Sequence, residues 1–234
     1  MPNEILFFIE LIVCFGILLL VNKFLGKEGV IAWMAIASIL ANILTTKNID
    51  AFGFTYTLGT ILFASNFLAT DILTERFGKE EAKKGVVIGL LGSLCLIIFI
   101  QIGLAYTPST IDYIDPSLRE VFTLSLRVSV SSMVMYFIAN IADVYLYDYL
   151  KNKMNGKHMW VRNNVATILC NTLENFLFMY LAFVGVFELK DIFMMAVTTS
   201  IVEIIVGLLD TPFLYIATIK ERKAQITTEH VVAE

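Results

Sequence analysis

Apolar stretches suited to membrane helices of about 20 residues each recur along the chain at roughly 5–24, 29–46, 54–75, 85–106, 122–147, 160–187 and 191–219. The pattern predicts seven transmembrane helices, the second of them short, in an all-α polytopic bundle. Within the spans, the polar residues follow helical spacing. Ser125, Ser129, Ser132, Tyr136, Asn140, Asp143 and Tyr147 succeed one another at steps of three or four, which places them on one face of the fifth span. Asn164, Thr167, Asn171, Glu174 and Phe178 form a second stripe on the sixth, with Asn175 at its edge. Glu203 and Asp210 share a face of the seventh. Ser38, Asn42 and Thr45 on the second span, and Asn66, Thr70, Asp71 and Glu75 on the third, complete five polar faces that can converge on one interior.

In hydrocarbon a polar group costs free energy unless it finds a partner or water, so these stripes are where the chemistry lies. Serines and threonines can serve simply as helix–helix contacts, typically worth about 0.6–2 kcal/mol each. The acids ask for more. Glu10, Asp71, Glu75, Asp143, Glu174, Glu203 and Asp210 lie within spans, against one clearly embedded base, Arg127. Lys47 and Arg162 at span ends cannot pair them all. The remainder must hold protons, meet water in a cavity, or face a cationic or donor-rich ligand or a coupling ion. Asp71 and Glu75 stand one turn apart at a helix C-terminus, where the macrodipole opposes them. A salt-bridge staple with Arg76 or Arg162 and direct ligand contact both remain open. Gly78 is suited to end that helix. In GLLDTPF, Pro212 lacks an N–H and crowds the Leu208 carbonyl, which predicts a kink or unwound turn beside Asp210.

Composition agrees with the span pattern. The chain has 234 residues, 58% hydrophobic and 16% charged, with a mean hydropathy of +0.78, too apolar for a soluble domain of this length. Thirteen Lys and Arg fall on one side of the predicted membrane, in the connections after spans 1, 3 and 5 and after span 7, against Lys47, Arg119 and Lys190 on the other. This puts the N-terminus outside and the C-terminus inside. Trp33 and Trp160 fall at predicted inner ends, where an amphipathic ring suits the headgroup zone. The first span follows MPNE with no basic region or cleavage site, so it reads as a retained helix. Cys14, Cys95 and Cys170 have no metal or disulfide spacing and read as buried apolar residues. Short loops imply one transmembrane domain over 1–234. The only histidines, His158 and His230, lie in a loop and the tail, and no HExxH, GxSxG or P-loop is present. These features argue against an enzyme, and no cofactor, metal or nucleic-acid partner is expected.

The run NILTTKNIDAFGFTYTLGTILFASNFLATDILTERFGKEEAKKGVVIG, followed by WVRNNVATILCNT and LLDTPFLYIA, resembles the queuosine precursor transporter family, a group once described as putative vitamin uptake transporters. The resemblance covers nearly the whole chain. It implies uptake of 7-deazaguanine compounds across a bacterial cytoplasmic membrane, by a fold akin to the six-helix substrate-binding subunits of energy-coupling-factor importers. Residue by residue, the family's acidic signature falls on Asp71 and Glu75, its Arg-Asn-Asn motif on Arg162, Asn163 and Asn164, and its Asp-Thr-Pro motif on Asp210, Thr211 and Pro212. Glu174 stands where the family would lead us to expect an Asp.

A guanine-like edge offers neighbouring N–H donors to a carboxylate, a carbonyl to an amide, and a flat face to aromatics. Glu174 or Asp143 suits the first role, Asn66, Asn140 or Asn171 the second, and Tyr136 or Phe178 the third. Asp71, Glu75, Glu203 and Asp210 complete the candidate binding set. Arg127, Arg162, Asn163, Asn164 and Pro212 are assigned structural or gating roles. Two transport readings follow: a solitary carrier, or a binding subunit that needs an ATP-driven module, docked for example through Ala37-x-x-x-Ala41. A homodimer in the bilayer is compatible with the chain's small size.

Overall fold

The computed structural model describes residues 1–122 and 126–219, with only the backbone described at Leu126, Arg127 and Ser129. In chain order the elements are α1 (Asn3–Leu44), β1 (Asn48–Ala51), β2 (Phe54–Thr57), α2 (Thr60–Arg76), α3 (Lys79–Ala105), α4 (Asp115–Phe122), α5 (Leu126–Lys153), α6 (Met159–Phe183) and α7 (Leu189–Ala217). Among the described residues, α1, α3, α5, α6 and α7 are long and apolar enough to cross a membrane. Their surface is inverted relative to a water-soluble fold. Leu91, Phe99, Leu169, Leu173 and Leu208 face outward, whereas Asn66, Asp71, Asp143, Arg162, Asn163 and Asp210 are fully buried. The chain is a polytopic helical membrane protein.

The first two predicted spans share the single long element α1, but that element reverses direction. Gly26 has φ 62° and ψ −141°, a conformation that any side chain would strain. The two halves of α1 then run back to back. Asn3 Nδ2 donates to the Asp50 carbonyl at 2.8 Å, so the start of α1 lies against the hairpin that follows its end. Cys14 from the first half approaches the Ile61 carbonyl, and Trp33 from the second donates to Ser65 Oγ at 3.0 Å. Both halves therefore pack on α2 at similar depth. Lys27–Glu81 at 3.4 Å, Lys79–Asp148 at 3.0 Å and the Asn22–Ala217 hydrogen bond gather the Gly26 reversal, the Gly78 turn and the end of α7 at one basic end. The β-hairpin lies at the other.

Several expectations change. The third span was expected from 54, but Phe54–Thr57 is a strand paired antiparallel with Asn48–Ala51, and α2 begins only at Thr60. FTYT is apolar enough to read as helix, yet β-branched and aromatic residues next to a Phe52-Gly53 turn with both φ positive favour a hairpin. Phe7 packs edge-on against Phe52 and Tyr56, anchoring that hairpin to α1. Trp33 is buried between α1 and α2, where Ser65 offers its N–H an acceptor, so its ring faces the protein interior and not the surroundings that a headgroup anchor requires. Trp160 is exposed at the start of α6. Cys14 and Cys170 are buried as expected, but Cys95 faces outward on the apolar side of α3. Ala37 and Ala41 are fully buried, so that small-residue face is used in internal packing and is not a docking surface. α7 continues through Pro212 without an unwound turn. Proline removes one donor near the helix end, and hydrogen bonds from Asn163 and Asn164 hold the adjoining Asp210 and Thr211. Gly78 does separate α2 from α3, with φ 87°. Ser125 and the side chains of Arg127 and Ser129 lie outside the described residues, as does the tail from Lys220.

If Gly26 makes the reversal, Gly26→Ala should cost about 1–3 kcal/mol from backbone strain alone, because an added Cβ there meets nothing within 4 Å. Gly16→Ala, equally uncrowded but in regular helix, should be neutral or stabilising by up to about 1 kcal/mol. Reversible unfolding in mixed detergent checks both, and equal effects would remove the special role of Gly26.

Candidate functional site

The polar stripes of α2, α5, α6 and α7 meet in two layers. The layer nearer the β-hairpin is a cavity with about 770 Å³ of non-atom space, part of it open to solvent. Tyr136 and Asn140 of α5, Asn171, Glu174 and Phe178 of α6, and Glu203 of α7 all line it. All six lie on the inward faces that helical spacing implies for their spans. The walls also include Phe63 and Phe67 of α2, with Thr45, Thr57 and Thr60 towards the hairpin. Those two phenylalanines were not singled out from the sequence. The signal was present, since Thr60, Phe63, Phe67 and Asp71 continue the acidic stripe upward in steps of three and four.

Chemically, the cavity combines acceptors with flat apolar surface. Asn175 Nδ2 donates to Glu203 Oε2 at 2.7 Å, which holds that carboxylate against α6. Asn140 Nδ2 is committed to the Tyr136 carbonyl at 2.9 Å, leaving its Oδ1 as a buried acceptor without a protein partner. Asn171 Oδ1 is likewise buried without one. Glu174 makes no hydrogen bond or ion pair to a described residue and lines the cavity one turn from Phe178. A planar ligand with adjacent N–H groups and an aromatic face matches this lining.

The second layer lies beneath the cavity towards the basic end, and it contains the other predicted residues. Asp71, Asp143 and Asp210 are fully buried there, from α2, α5 and α7. Asn66 is also fully buried, but its side chain is not part of the cavity wall and both its polar atoms lack partners. Asn163 Nδ2 donates to Asp210 Oδ1 at 2.8 Å, and Asn164 Nδ2 to Thr211 Oγ1 at 2.9 Å. The Arg-Asn-Asn and Asp-Thr-Pro segments are thus direct partners across α6 and α7.

At the floor, Arg162 is fully buried and donates to Glu75 Oε2 at 2.7 Å. It also donates to the carbonyls of Gly156 and Lys157 at 2.6 and 3.1 Å, and lies over the Tyr147 ring. Tyr147 donates to the same Glu75 oxygen at 3.2 Å. Lys151 is 3.3 Å from it and also caps the Thr74 and Glu75 carbonyls. Two cations at the α2 C-terminus therefore offset both the carboxylate and the unfavourable helix dipole. Glu75 belongs to this staple. Asp71, one turn above, does not: both its carboxylate oxygens are buried without a partner. Arg76 reaches sideways to Asn22 and Phe77.

The family described as "Putative vitamin uptake transporter" matches residues 57–217. A "Probable queuosine precursor transporter" from Bacillus subtilis (strain 168) is 30% identical over 207 residues, covering 88% of this chain and 90% of that protein. A protein with the same description from Haemophilus influenzae (strain ATCC 51907 / DSM 11121 / KW20 / Rd) is 27% identical over 132 residues, covering 56% of this chain and 54% of its own. No solved structure matches.

The staple and the acid above it should respond differently to neutralisation. Glu75→Gln leaves a buried guanidinium without its counter-charge and should lose about 3–5 kcal/mol of stability. Glu75→Gln combined with Arg162→Gln should lose less than the sum. Asp71→Asn breaks no hydrogen bond and should stay within about 1 kcal/mol of wild type. Thermal unfolding in detergent reads all three, and a fully additive double variant would dissolve the staple.

Proposed function

This chain belongs to the putative vitamin uptake transporter family, and from that premise we propose that it carries queuosine precursors inward across a bacterial cytoplasmic membrane: 7-deazaguanine bases such as preQ0, preQ1 or queuine, or the nucleoside. The descriptions of the Bacillus subtilis and Haemophilus influenzae relatives as probable queuosine precursor transporters support the substrate class. The observation that carries the reading to this chain is Glu174, an uncommitted carboxylate in a cavity walled by Phe63, Phe67, Phe178 and Tyr136. It can accept the paired N–H groups of the guanine-like edge while an aromatic wall covers the ring. Asp143 is the less suitable acceptor, since it is sealed in the layer below and already adjoins Thr70.

In this reading the chain crosses the bilayer seven times. The two halves of α1 supply two crossings, α2 one, and α3, α5, α6 and α7 the rest. The N-terminus and β-hairpin lie outside, and the Lys- and Arg-rich end lies in the cytoplasm. The cavity then opens towards the outer half, above the Glu75–Arg162 staple. The expected homodimer belongs to the same proposal, and cross-linking in native membranes checks it. The role is that of a carrier with no catalytic step. A subunit of an ATP-driven importer is the second reading, but the burial of Ala37 and Ala41 removes the docking face suggested for it.

Expression in cells that lack both precursor synthesis and any energy-coupling module separates the two. Restored queuosine in tRNA on feeding a precursor is expected, and restoration only when a coupling module is supplied would overturn the solitary carrier. Glu174→Gln should weaken deazaguanine binding by about 1.5–3 kcal/mol, because an amide presents a donor where an acceptor is required. That is roughly a ten- to hundredfold rise in Kd, measurable by calorimetry on purified protein. Wild-type affinity would remove Glu174 from the site.

A further inference from the structure

Between the cavity and the staple lies a set of carboxylates that neither uses. Asp71, Asp143 and Asp210 project from three different helices into a fully buried layer. The described cations that reach it are already engaged: Arg162 with Glu75 and two loop carbonyls, Lys151 with Glu75 and the end of α2. Ionised together, the three acids would place three negative charges in a dry interior without a matching base. Burial of that kind is untenable unless something neutralises them.

The hydrogen-bond pattern says what that neutralising partner is. Thr70 Oγ1 lies 2.7 Å from the Phe67 carbonyl and 3.0 Å from Asp143 Oδ2. A hydroxyl has one hydrogen, so it cannot serve both acceptors. If Thr70 donates to Phe67, as its place in α2 favours, the second contact is a hydrogen bond only when Asp143 carries a hydrogen and donates it. Asp210 receives one hydrogen bond at Oδ1, from Asn163, while its Oδ2 is buried and unpartnered. Both Asp71 oxygens lack a donor. A carboxylate needs donors, whereas a carboxylic acid brings its own. The buried and unpartnered Asn163 Oδ1, Asn164 Oδ1 and Thr167 Oγ1 supply further acceptors in this layer. A metal ion fits less well, because among the described residues no group of three His, Cys, Asp or Glu side chains could hold one.

We propose that Asp71, Asp143 and Asp210 form a proton-binding site that couples entry of the substrate to entry of protons. The proposal rests on the transport reading above. The charged and titratable groups facing Asp71 are Glu75 on its own helix, Asp143 and Tyr147 on α5, Arg162 and Cys170 on α6, and Asp210 on α7. Carboxylates outnumber the one cation in that set. The site also lies on the route. Phe67, Asn140 and Asn171 line the cavity, and Thr70, Asp143 and Thr167 stand one turn below them on the same helices. Protons arriving from the cavity side neutralise the layer and let α2, α5 and α7 close around it. Their release past the staple to the cytoplasm leaves like charges on three helices, which repel and part. Every proton that enters with the substrate leaves on the other side, so the carboxylates return to their starting state and each cycle carries net positive charge inward.

The test uses purified full-length protein in proteoliposomes with a lumenal pH dye and labelled preQ0, which carries no basic aminomethyl group and so is neutral near pH 7 and brings in no proton of its own. Wild-type protein should acidify the lumen in step with preQ0 entry. An inside-alkaline gradient of about one pH unit, with the membrane potential clamped at zero, should drive about tenfold accumulation for each proton coupled to a substrate. Asp71→Asn should lower the ratio of protons to preQ0, with Asp143→Asn and Asp210→Asn as further variants should the first fail to fold. Uptake without proton entry, accumulation driven by a sodium gradient alone, or a wild-type ratio in all three variants would overturn the proposal. Absence of any preQ0 entry or exchange by wild-type protein would count against the transport reading instead. In that case infrared pH-difference spectra decide the site: a protonated-carboxyl band that weakens in Asp71→Asn supports it, and no such band in wild type overturns it.

Discussion

Hydrocarbon neither donates nor accepts hydrogen bonds, and the organisation of this protein follows from that constraint. A polar side chain on an outward face would be stranded, so polar residues must collect inside and satisfy one another. Spacing of three and four along α5, α6 and α7 turns each helix into a two-sided object, with leucine and phenylalanine outside and asparagine, acid and hydroxyl inside. Packing those inner faces on α2 creates an interior polar enough to hold a small polar ligand, walled by aromatic rings and partly open to solvent.

Within that interior, Arg162 divides the work. Its guanidinium ties α6 to the end of α2 and to the 156–157 loop, so one fully buried cation organises three segments. Because Lys151 and Tyr147 converge on the same carboxylate, the floor is crowded with donors while the layer immediately above is starved of them. The contrast across a single helical turn, from Glu75 to Asp71, separates a contact that holds the fold together from a buried carboxyl group with no protein partner. The cavity higher up stays distinct from both, since its acceptors sit among aromatic rings.

Much of this was legible in the sequence wherever periodicity controls the outcome. The stripe running through Tyr136, Asn140, Asp143 and Tyr147 faces inward throughout, and the basic residues do gather at one end. Periodicity gives a face but not a depth. It could not say that Asn140 and Asp143, neighbours on one stripe, fall on opposite sides of the cavity floor, nor that Glu75 would capture Arg162 and leave Asp71 alone. It also misread FTYT, whose apolar character is shared by helix and strand and is resolved only by the turn beside it. Pro212 exposed a different gap: a proline's cost depends on which neighbours support the helix end, and Asn163 and Asn164 lie nearly fifty residues upstream.

The shortness of α2 has a consequence for how the protein is made. At 17 residues it is about 25 Å long, less than the roughly 30 Å of a hydrocarbon core, and almost every side chain from Thr60 to Thr74 is buried by other helices. Such a segment has little reason to partition into lipid by itself while it carries Asn66, Asp71 and Glu75. In the seven-crossing topology proposed above, it is sheltered during synthesis by the α1 hairpin on its N-terminal side and enclosed only when α5, α6 and α7 emerge. The centre of the molecule is therefore inserted early and solvated last, which makes membrane assembly most vulnerable to substitutions on helices that have not yet been translated when α2 leaves the ribosome.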